Sequence, residues 1–248
     1  MATTLCIVEI PPREKTGASL AGRRFAGTTL VEWVVRRVSE SLVIEQIIVT
    51  CEAAQEEALL RLVPPNVTVL ARDHKDRLAQ LAAAVRQADA SAVVRVSIDR
   101  PFVDPVLIDR LVCDANAHPG TDYVGYILED GRSALQAKLG VFADLIRADA
   151  FFEAERLAVS PADRADIASF ICAHAESFQL RLLPAPARLD RRDIRLAIKG
   201  EEDWEHANLI FEALGPEGLD WQGIADLLAN QPEMRHRMAA LNESDAGV

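Results

Sequence analysis

Short apolar runs alternate with helix-like segments along the first half of the chain. The runs of strand length are Thr4–Ile10, Ile44–Thr50, Asn66–Leu70, Ala92–Ile98 and Asp122–Ile127. The helix-like segments between them are Leu30–Val38, Gln55–Leu62, Asp76–Ala88 and Asp104–Ala117. Because strands buried on both faces have continuous apolar sequences, this alternation predicts an α/β fold with a mostly parallel central sheet flanked by helices.

The second half of the chain has a less regular pattern. Its candidate strands are Lys138–Ile146, Phe178–Leu183 and Ile194–Lys199. Its candidate helices are Ala148–Leu157, Ala162–Ala173, Glu201–Leu214 and Asp220–Leu241, the last interrupted at Pro232. There is no internal repeat and no linker before a polar tail at about residues 242–248, so the sequence predicts one domain over residues 1–248.

The composition restricts the class of partner. The chain has 248 residues, half of them hydrophobic, and a formal net charge of −11. An acidic surface repels phosphate backbones, which argues against nucleic acid and anionic membranes as partners. Four scattered cysteines without a CxxC pair indicate reduced thiols and a cytoplasmic protein. No apolar run reaches the roughly 20 residues that span a membrane.

Asp99 is the strongest candidate for a functional residue. It follows the apolar run Ala92–Ile98 and precedes Arg100. In an open parallel sheet, ligands bind beyond the carboxyl ends of the strands. An aspartate there can hold Mg²⁺ and, through it, triphosphate oxygens. The alternative is a loop aspartate that caps the next helix, although Asp104 already suits that cap.

The segment between the first apolar run and residue 27 is the second candidate. It carries Arg13, Lys15, Gly17 and Arg23, with further glycines at positions 22 and 27. Glycines let backbone N–H groups approach phosphates, and the cations offset triphosphate charge. The residue order of a Walker A loop is absent. The spacing therefore leaves open a phosphate cradle or a flexible solvated loop.

A third charged stretch follows the run Asn66–Leu70. Arg72 and Asp76 delimit it, and its side chains could frame a base or ribose. The alternative is a solvated loop in which Asp76 caps the next helix.

Three segments carry a resemblance to a known family. Val94–Pro105 reads VRVSIDRPFVDP, Asp163–Ile171 reads DRADIASFI, and Glu202-Asp203 opens the helical segment Trp204–Leu214. In their order along the chain and in their residue patterns, these segments resemble the cytidylyltransferases of the spore-coat polysaccharide type. They are more distantly similar to the synthetases that make CMP-activated acidic sugars.

This resemblance implies a GT-A-like nucleotidyltransferase fold, CTP, Mg²⁺ and a sugar or sugar-acid substrate. The implied reaction is attack of a sugar oxygen on the α-phosphate with release of pyrophosphate. Arg13 matches the arginine that opens the family's phosphate loop, Arg23 matches its lysine, and Asp99 matches the metal-binding aspartate. The resemblance also implies a homodimer.

The chain departs from the family pattern at three places. The first loop lacks the family's middle arginine, and the aspartate of a D-V-E strand motif is missing near Phe142–Asp144. Lys199 stands where relatives have a second metal-binding aspartate. Two unit charges 4 Å apart interact by roughly 4 kcal/mol at an effective dielectric of 20, so this reversal would weaken Mg²⁺ binding strongly.

Two hypotheses about function follow. In the first, Lys199 contacts phosphate directly, and it acts with Arg13 and Arg23 in an active nucleotidyltransferase. In the second, the chain is a catalytically degenerate homologue that binds a nucleotide or sugar as a non-enzymatic partner. A glycosyltransferase ranks last, because no DxD-like motif lies near Asp99.

Overall fold

A central sheet organises the fold. The computed structural model describes residues 3–10, 17–72 and 76–246. Its strands are β1 (Thr3–Glu9), β2 (Arg24–Phe25), β3 (Thr28–Thr29), β4 (Gln46–Glu52), β5 (Thr68–Arg72), β6 (Ala90–Ser97), β7 (Tyr123–Ile127), β8 (Asp144–Arg147) and β9 (Leu180–Pro184). Strands β2 and β3 pair with each other as a short antiparallel ribbon, and the other seven form the sheet.

Helices pack on both sides of this sheet. They are α1 (Gly17–Gly22), α2 (Leu30–Ser39), α3 (Glu56–Leu60), α4 (Arg77–Gln87), α5 (Pro105–Ala117), α6 (Ala148–Leu157), α7 (Pro161–Ala165), α8 (Ile167–Ala173), α9 (Glu201–Leu214), α10 (Trp221–Ala229) and α11 (Pro232–Ala246). Single 3₁₀ turns lie at Ala53–Gln55 and Pro216–Gly218. Among the described residues, no helix combines the length and the apolar character needed to cross a membrane.

The strand order is β5-β4-β1-β6-β8-β7-β9. Every pairing in it is parallel except those of β8, which runs antiparallel to both β6 and β7. The expectation of a mostly parallel sheet flanked by helices is confirmed, and the first four predicted strands are neighbours. Beyond β6 the next two strands are exchanged relative to the chain order, because β8 lies between β6 and β7.

Alternating residues of the central strands enter two separate apolar cores. Val8 of β1 and Val94 of β6 belong to the core under α2 and α5. Leu5 of β1 and Val93 of β6 belong to the core under α4 and α6. Successive side chains of a strand point to opposite faces, so a strand with a core on each side must be apolar at nearly every position.

Asp104 joins two helices, as its place before Pro105 predicts for the first of them. Its carboxylate accepts the N–H groups of Val106 and Leu107 at 2.9 and 3.1 Å and so caps α5. It also accepts the N–H of Trp221 at 2.8 Å, which fixes the start of α10. Burial raises the pKa of this fully buried carboxyl group.

Two of the strands predicted for the second half were wrong, whereas the helices predicted over Ala148–Leu157 and Glu201–Leu214 are confirmed. The segment 194–199 is not a strand: the N–H groups of Leu196 and Ala197 both donate to the carbonyl of Lys138, so no ladder forms. The strand predicted over Lys138–Ile146 is reduced to β8, because Lys138 and Gly140 have positive φ angles of 58° and 68°. These conformations turn the chain instead of extending it.

Two helix boundaries also differ from expectation. The helix predicted over Ala162–Ala173 is split into α7 and α8 at Asp166, whose side chain caps α8. Helix α11 continues to residue 246 and takes up most of the predicted polar tail. That the whole chain is a single domain stays a prediction.

Replacing Gly140 with alanine is expected to destabilise the fold by about 3 kcal/mol or more. An added Cβ would lie 2.5 Å from the carbonyl carbon of Leu196, and the residue already has a positive φ. Gly131→Ala is the matched control, because Gly131 has a φ of 84° but nothing within 4 Å of the added Cβ. The control is expected to cost about 1–2 kcal/mol in urea unfolding, and equal losses for the two variants would contradict the close approach.

Candidate functional site

The site forms at the carboxyl end of β6. Asp99 follows this strand, and its backbone carbonyl accepts the N–H of Ile198 at 2.8 Å. This single bond brings the irregular segment before α9 against the edge of the sheet. The Asp99 side chain is 7% exposed, so its charge needs a partner.

Lys199 is that partner. Its ammonium group contacts Oδ2 of Asp99, and its side chain remains half exposed. Burial raises the pKa of Asp99, but the charges of Lys199 and Arg100 outweigh it, so the net effect lowers the pKa below its ordinary value. Asp99 is therefore ionised and paired, with Arg100 Nε 3.9 Å from its Oδ1.

Asp203 holds Lys199 in place through the backbone. Its Oδ2 accepts the N–H groups of Lys199 and Gly200 at 2.8 and 3.0 Å, at the start of α9. Arg195 donates to both oxygens of Asp203, at 2.6 and 3.0 Å, and also to Asp245 at 2.6 Å. Sequence reasoning missed Arg195 and Asp245 completely, and it noted Asp203 only as part of a family-like helix start.

Arg23 is fixed at the same helix end. It donates two hydrogen bonds of 2.7 Å to the carboxylate of Glu201. Its guanidinium carbon lies 3.8 Å from the ring centroid of Trp204, which adds a cation–π contact. Arg23 is bound to Glu201, and Lys199 lies two residues before Glu201. Two cations, Arg23 and Lys199, therefore lie near the start of α9.

The structure describes only some of the other predicted site residues. Arg13 and Lys15 lie outside the described residues, and Arg72 is described only as the last residue of β5. Gly17 begins α1, so part of the expected first loop is helical. Asp76 caps α4 by accepting the N–H of Ala79 at 3.0 Å.

The carboxylate of Asp76 has a second partner. Arg164 donates to both of its oxygens at 2.8 Å. Burial acts to raise the pKa of Asp76, but the backbone hydrogen bond of Ala79 and the bonds and charge of Arg164 lower it overall. The helix-cap alternative thus describes the position of Asp76, whereas its nucleotide-binding role stays a prediction.

The metal-binding role of Asp99 stays a prediction. Among the described residues, no group of three or more His, Cys, Asp or Glu side chains could hold a metal ion. Asp99 offers a buried Oδ1 without a hydrogen-bond partner, but the cation of Lys199 is on its other oxygen. Mg²⁺ is often held by one or two carboxylates plus substrate phosphates, so any Mg²⁺ here would have to arrive with nucleotide.

A cavity of about 410 Å³ opens beside Asp99. Arg95 of β6 and Arg100 line it, together with Asp166, Ser169, Ser133 and Gln136. Its volume falls within the range of small-molecule sites. Arg100 lines the cavity and its Nε lies 3.9 Å from Oδ1 of Asp99, so the cavity shares this cation with the charged site.

These features define a class of protein. A mostly parallel sheet with a buried aspartate and several cations at the carboxyl ends of its strands has the arrangement of a ligand site in an open α/β fold. The sequence profile of the MobA-like NTP transferase domain matches residues 16–179, which is more than half of the chain. The chain belongs to that family.

Two curated proteins are similar in sequence. Spore coat polysaccharide biosynthesis protein SpsF of Bacillus subtilis is 28% identical over 141 residues, which are 56% of this chain and 54% of that protein. The 3-deoxy-manno-octulosonate cytidylyltransferase of Geobacter metallireducens is 28% identical over 125 residues, 46% of this chain and 48% of that protein. The chain thus spans about half the length of the curated relatives it matches.

Solved structures share the fold. A cytidylyltransferase from Leptospira borgpetersenii superposes with a TM-score of 0.81 at 16% identity, covering 94% of this chain and 95% of that one. A CMP:2-keto-3-deoxy-manno-octonic acid synthetase complexed with CTP gives a TM-score of 0.62 at 11% identity, covering 86% and 98%. At these identities the likeness establishes the nucleotidyltransferase fold alone.

Replacing Lys199 with methionine is expected to destabilise the protein most at neutral pH. The variant loses the principal counter-charge of Asp99, so the pKa of that carboxyl group is expected to rise relative to the parent. The stabilisation from ionised Asp99 is fully present in the parent above pH 3.8, the ordinary pKa of an aspartate, and it is lost as pH falls through the lowered pKa of the folded protein. The difference between parent and variant is expected to be about 1–2 kcal/mol at pH 7 and to be smaller at pH 3.

Urea unfolding at the two pH values measures this difference. Lys199→Arg is the matched control, because it keeps the charge and is expected to resemble the parent at both. A loss of stability in Lys199→Met that is the same at pH 7 and pH 3 would show that the ion pair does not ionise as described.

Proposed function

We propose that the protein is a cytidylyltransferase that transfers the CMP group of CTP to a sugar or sugar acid for surface-polysaccharide biosynthesis. The observation that carries this proposal is the contact between Asp99 and Lys199 at the carboxyl end of β6, with Arg100 and Arg23 nearby. The two curated relatives support it, since their names state polysaccharide biosynthesis and cytidylyl transfer.

Cationic side chains would bind the triphosphate. Lys199 is half exposed and can keep Asp99 while donating to a phosphate oxygen, because an ammonium group has three donors. Arg23 presents a guanidinium at the same helix end. We assign Arg13 to a further nucleotide contact on the resemblance. We assign Lys15, Gly17, Arg72 and Asp76 to such contacts on the sequence pattern of the segments that follow the first and third predicted strands.

In the proposed reaction, positioning of the substrates and electrostatic stabilisation contribute more than covalent catalysis. A hydroxyl oxygen of the acceptor attacks the α-phosphorus of CTP, the bond from that phosphorus to the bridging oxygen breaks, and pyrophosphate leaves. The hydroxyl proton passes to solvent. Lys199, Arg13 and Arg23 would stabilise the negative charge that develops on the phosphoryl oxygens, and the cavity beside Arg100 would hold the acceptor in line.

The proposal also includes a cellular location, a metal ion and an oligomeric state. Among the described residues no cysteine forms a disulfide, which supports a cytoplasmic location. Mg²⁺ would accompany the nucleotide and neutralise part of its charge when bound. The homodimer implied by the resemblance is retained as an expectation.

Lys199→Ala is expected to weaken CTP binding by about tenfold to a hundredfold, because a charge-assisted hydrogen bond to phosphate contributes about 1.5–3 kcal/mol. Calorimetric titration of CTP without Mg²⁺ measures the loss. Arg156→Ala is the matched control, since Arg156 is an exposed cation paired with Glu153 on α6 and is expected to leave binding unchanged.

Lys199→Asp separates the active enzyme from a degenerate homologue. In the proposed enzyme, this variant binds CTP poorly without Mg²⁺. If the chain is instead a degenerate relative, Lys199→Asp recovers Mg²⁺-dependent binding and turnover that the parent lacks. Equal or absent binding in the parent, Lys199→Ala and Lys199→Asp would contradict the enzyme and leave the non-catalytic partner.

Asp99→Ala is expected to abolish any gain in CTP affinity that Mg²⁺ gives to the parent, while the protein stays folded. The reason is that the buried carboxylate of Asp99 contacts the ammonium group of Lys199. In the described part of the chain, no other acidic group contacts that ammonium group. The same calorimetric titration, with and without Mg²⁺, measures it. If the variant keeps the full effect of Mg²⁺ on CTP affinity, Asp99 is a loop residue without a role in metal binding.

A further inference from the structure

One part of the wall of the cavity beside Asp99 is apolar. Leu180 and Leu182 of β9 line it, together with Leu135 and Ala168. Leu180 packs against the core under α4 and α6, and Leu182 lies two residues further along the strand, so both side chains are on the same face of the sheet. Leu182 is nevertheless 45% exposed, so apolar surface that continues this core is open to the cavity.

The cavity lies over four neighbouring strands. Arg95 of β6, which lines the cavity, is paired with Asp144 of β8, and Gly125 of β7 is paired with Leu182 of β9. Because the strand order is β6-β8-β7-β9, three inter-strand steps separate Arg95 from Leu182. At about 4.8 Å for each step, the backbones of these two residues lie roughly 14 Å apart. The cavity therefore has a cation at one end and a leucine at the other.

An aromatic ring lies between these two ends. Tyr123 of β7 packs in the same core and lines the cavity. A Cβ added to Gly125 would lie 2.8 Å from Cε1 and from the hydroxyl oxygen of Tyr123, so the ring occupies the space that a side chain at position 125 would take. The surface of the sheet under the cavity thus changes from cationic through aromatic to aliphatic.

The polar end of the cavity adjoins the charged site. Arg100 follows β6 and lines the cavity, and its Nε lies 3.9 Å from Oδ1 of Asp99. Ser133, Gln136 and Ser169 also line the cavity and offer neutral donors and acceptors to hydroxyl groups. The reacting hydroxyl of an acceptor must reach a nucleotide bound at the charged site, so that part of the acceptor belongs at the Arg100 end.

We propose that the acceptor of the transfer reaction is a sugar with an apolar substituent, such as an acyl or methyl group, which lies against Leu180 and Leu182. The proposal rests on the proposed function for the identity of the ligand as acceptor. The distance between the two ends of the cavity exceeds the width of one sugar ring, so an unsubstituted monosaccharide at the Arg100 end would leave the leucines in water. An apolar substituent removes that surface from water, which favours binding.

Two matched pairs of sugars test the proposal. N-butanoylglucosamine is compared with N-acetylglucosamine, and 6-deoxyglucose is compared with glucose. Ligand-observed NMR titration, with and without CTP, measures their affinities for the protein. The more apolar member of at least one pair is expected to bind more tightly by about fourfold or more, which is the effect of one CH₂ group buried against the leucines.

Leu182→Thr links this preference to the apolar wall. Threonine has a high β propensity, so β9 is expected to remain in the sheet. Because the smaller polar side chain removes apolar contact, the preference is expected to fall to within about twofold, while the more polar sugars bind as they do to the parent. Leu209→Gln is the matched control, because Leu209 is 44% exposed but lies on α9 and does not line the cavity. It is expected to retain the full preference.

The outcomes separate this proposal from the proposed function. Equal affinities within both pairs, or a preference that Leu182→Thr retains, would overturn the apolar substituent at this wall, even if CTP binds. Absence of binding by all four sugars, with and without CTP, would overturn the cavity as a sugar site. A preference for the apolar sugars that Leu182→Thr abolishes, in a protein that does not bind CTP, would retain the cavity assignment and refute the nucleotidyltransferase.

Discussion

The buried ion pair between Arg195 and Asp203 is the interaction on which the site depends. Both side chains are less than 5% exposed, and each makes a further contact outside the pair. Asp203 accepts the backbone N–H groups of Lys199 and Gly200, and Arg195 reaches Asp245 in the last turn of α11. The position of the cation on Asp99 is therefore set by residues from three separate parts of the chain.

Such a pair contributes geometry more than net stability. Removing two charges from water costs several kcal/mol each, and their attraction offsets that cost only when every donor and acceptor is satisfied. Here the remaining capacity of Asp203 is used by two backbone N–H groups at the start of α9, where carboxylates are also favoured by the helix dipole. The chain end that appeared in the sequence as a polar tail is thus part of the frame of the site.

The sequence predicts the parallel half of the sheet well because its strands are buried on both faces and have continuous apolar runs. It fails for the segment 194–199, whose apolar residues pack as an irregular turn over Gly140. Asp99 and Lys199 could be identified from the strand end and the family pattern. Arg195 and Asp245 could not, because their importance arises only when the last turn of α11 meets the segment before α9, and no local spacing encodes that contact.

Arg23 lies over the face of Trp204, and this makes the indole ring an optical reporter. The same ring contacts Phe25 edge-on, with centroids 5.8 Å apart, so its other surroundings belong to the fixed aromatic core. Any ligand that draws Arg23 toward its own phosphates uncovers one face of the indole while leaving the rest of its environment unchanged. Displacement of Arg23 from the ring would therefore change the intrinsic fluorescence of the protein, without any added label.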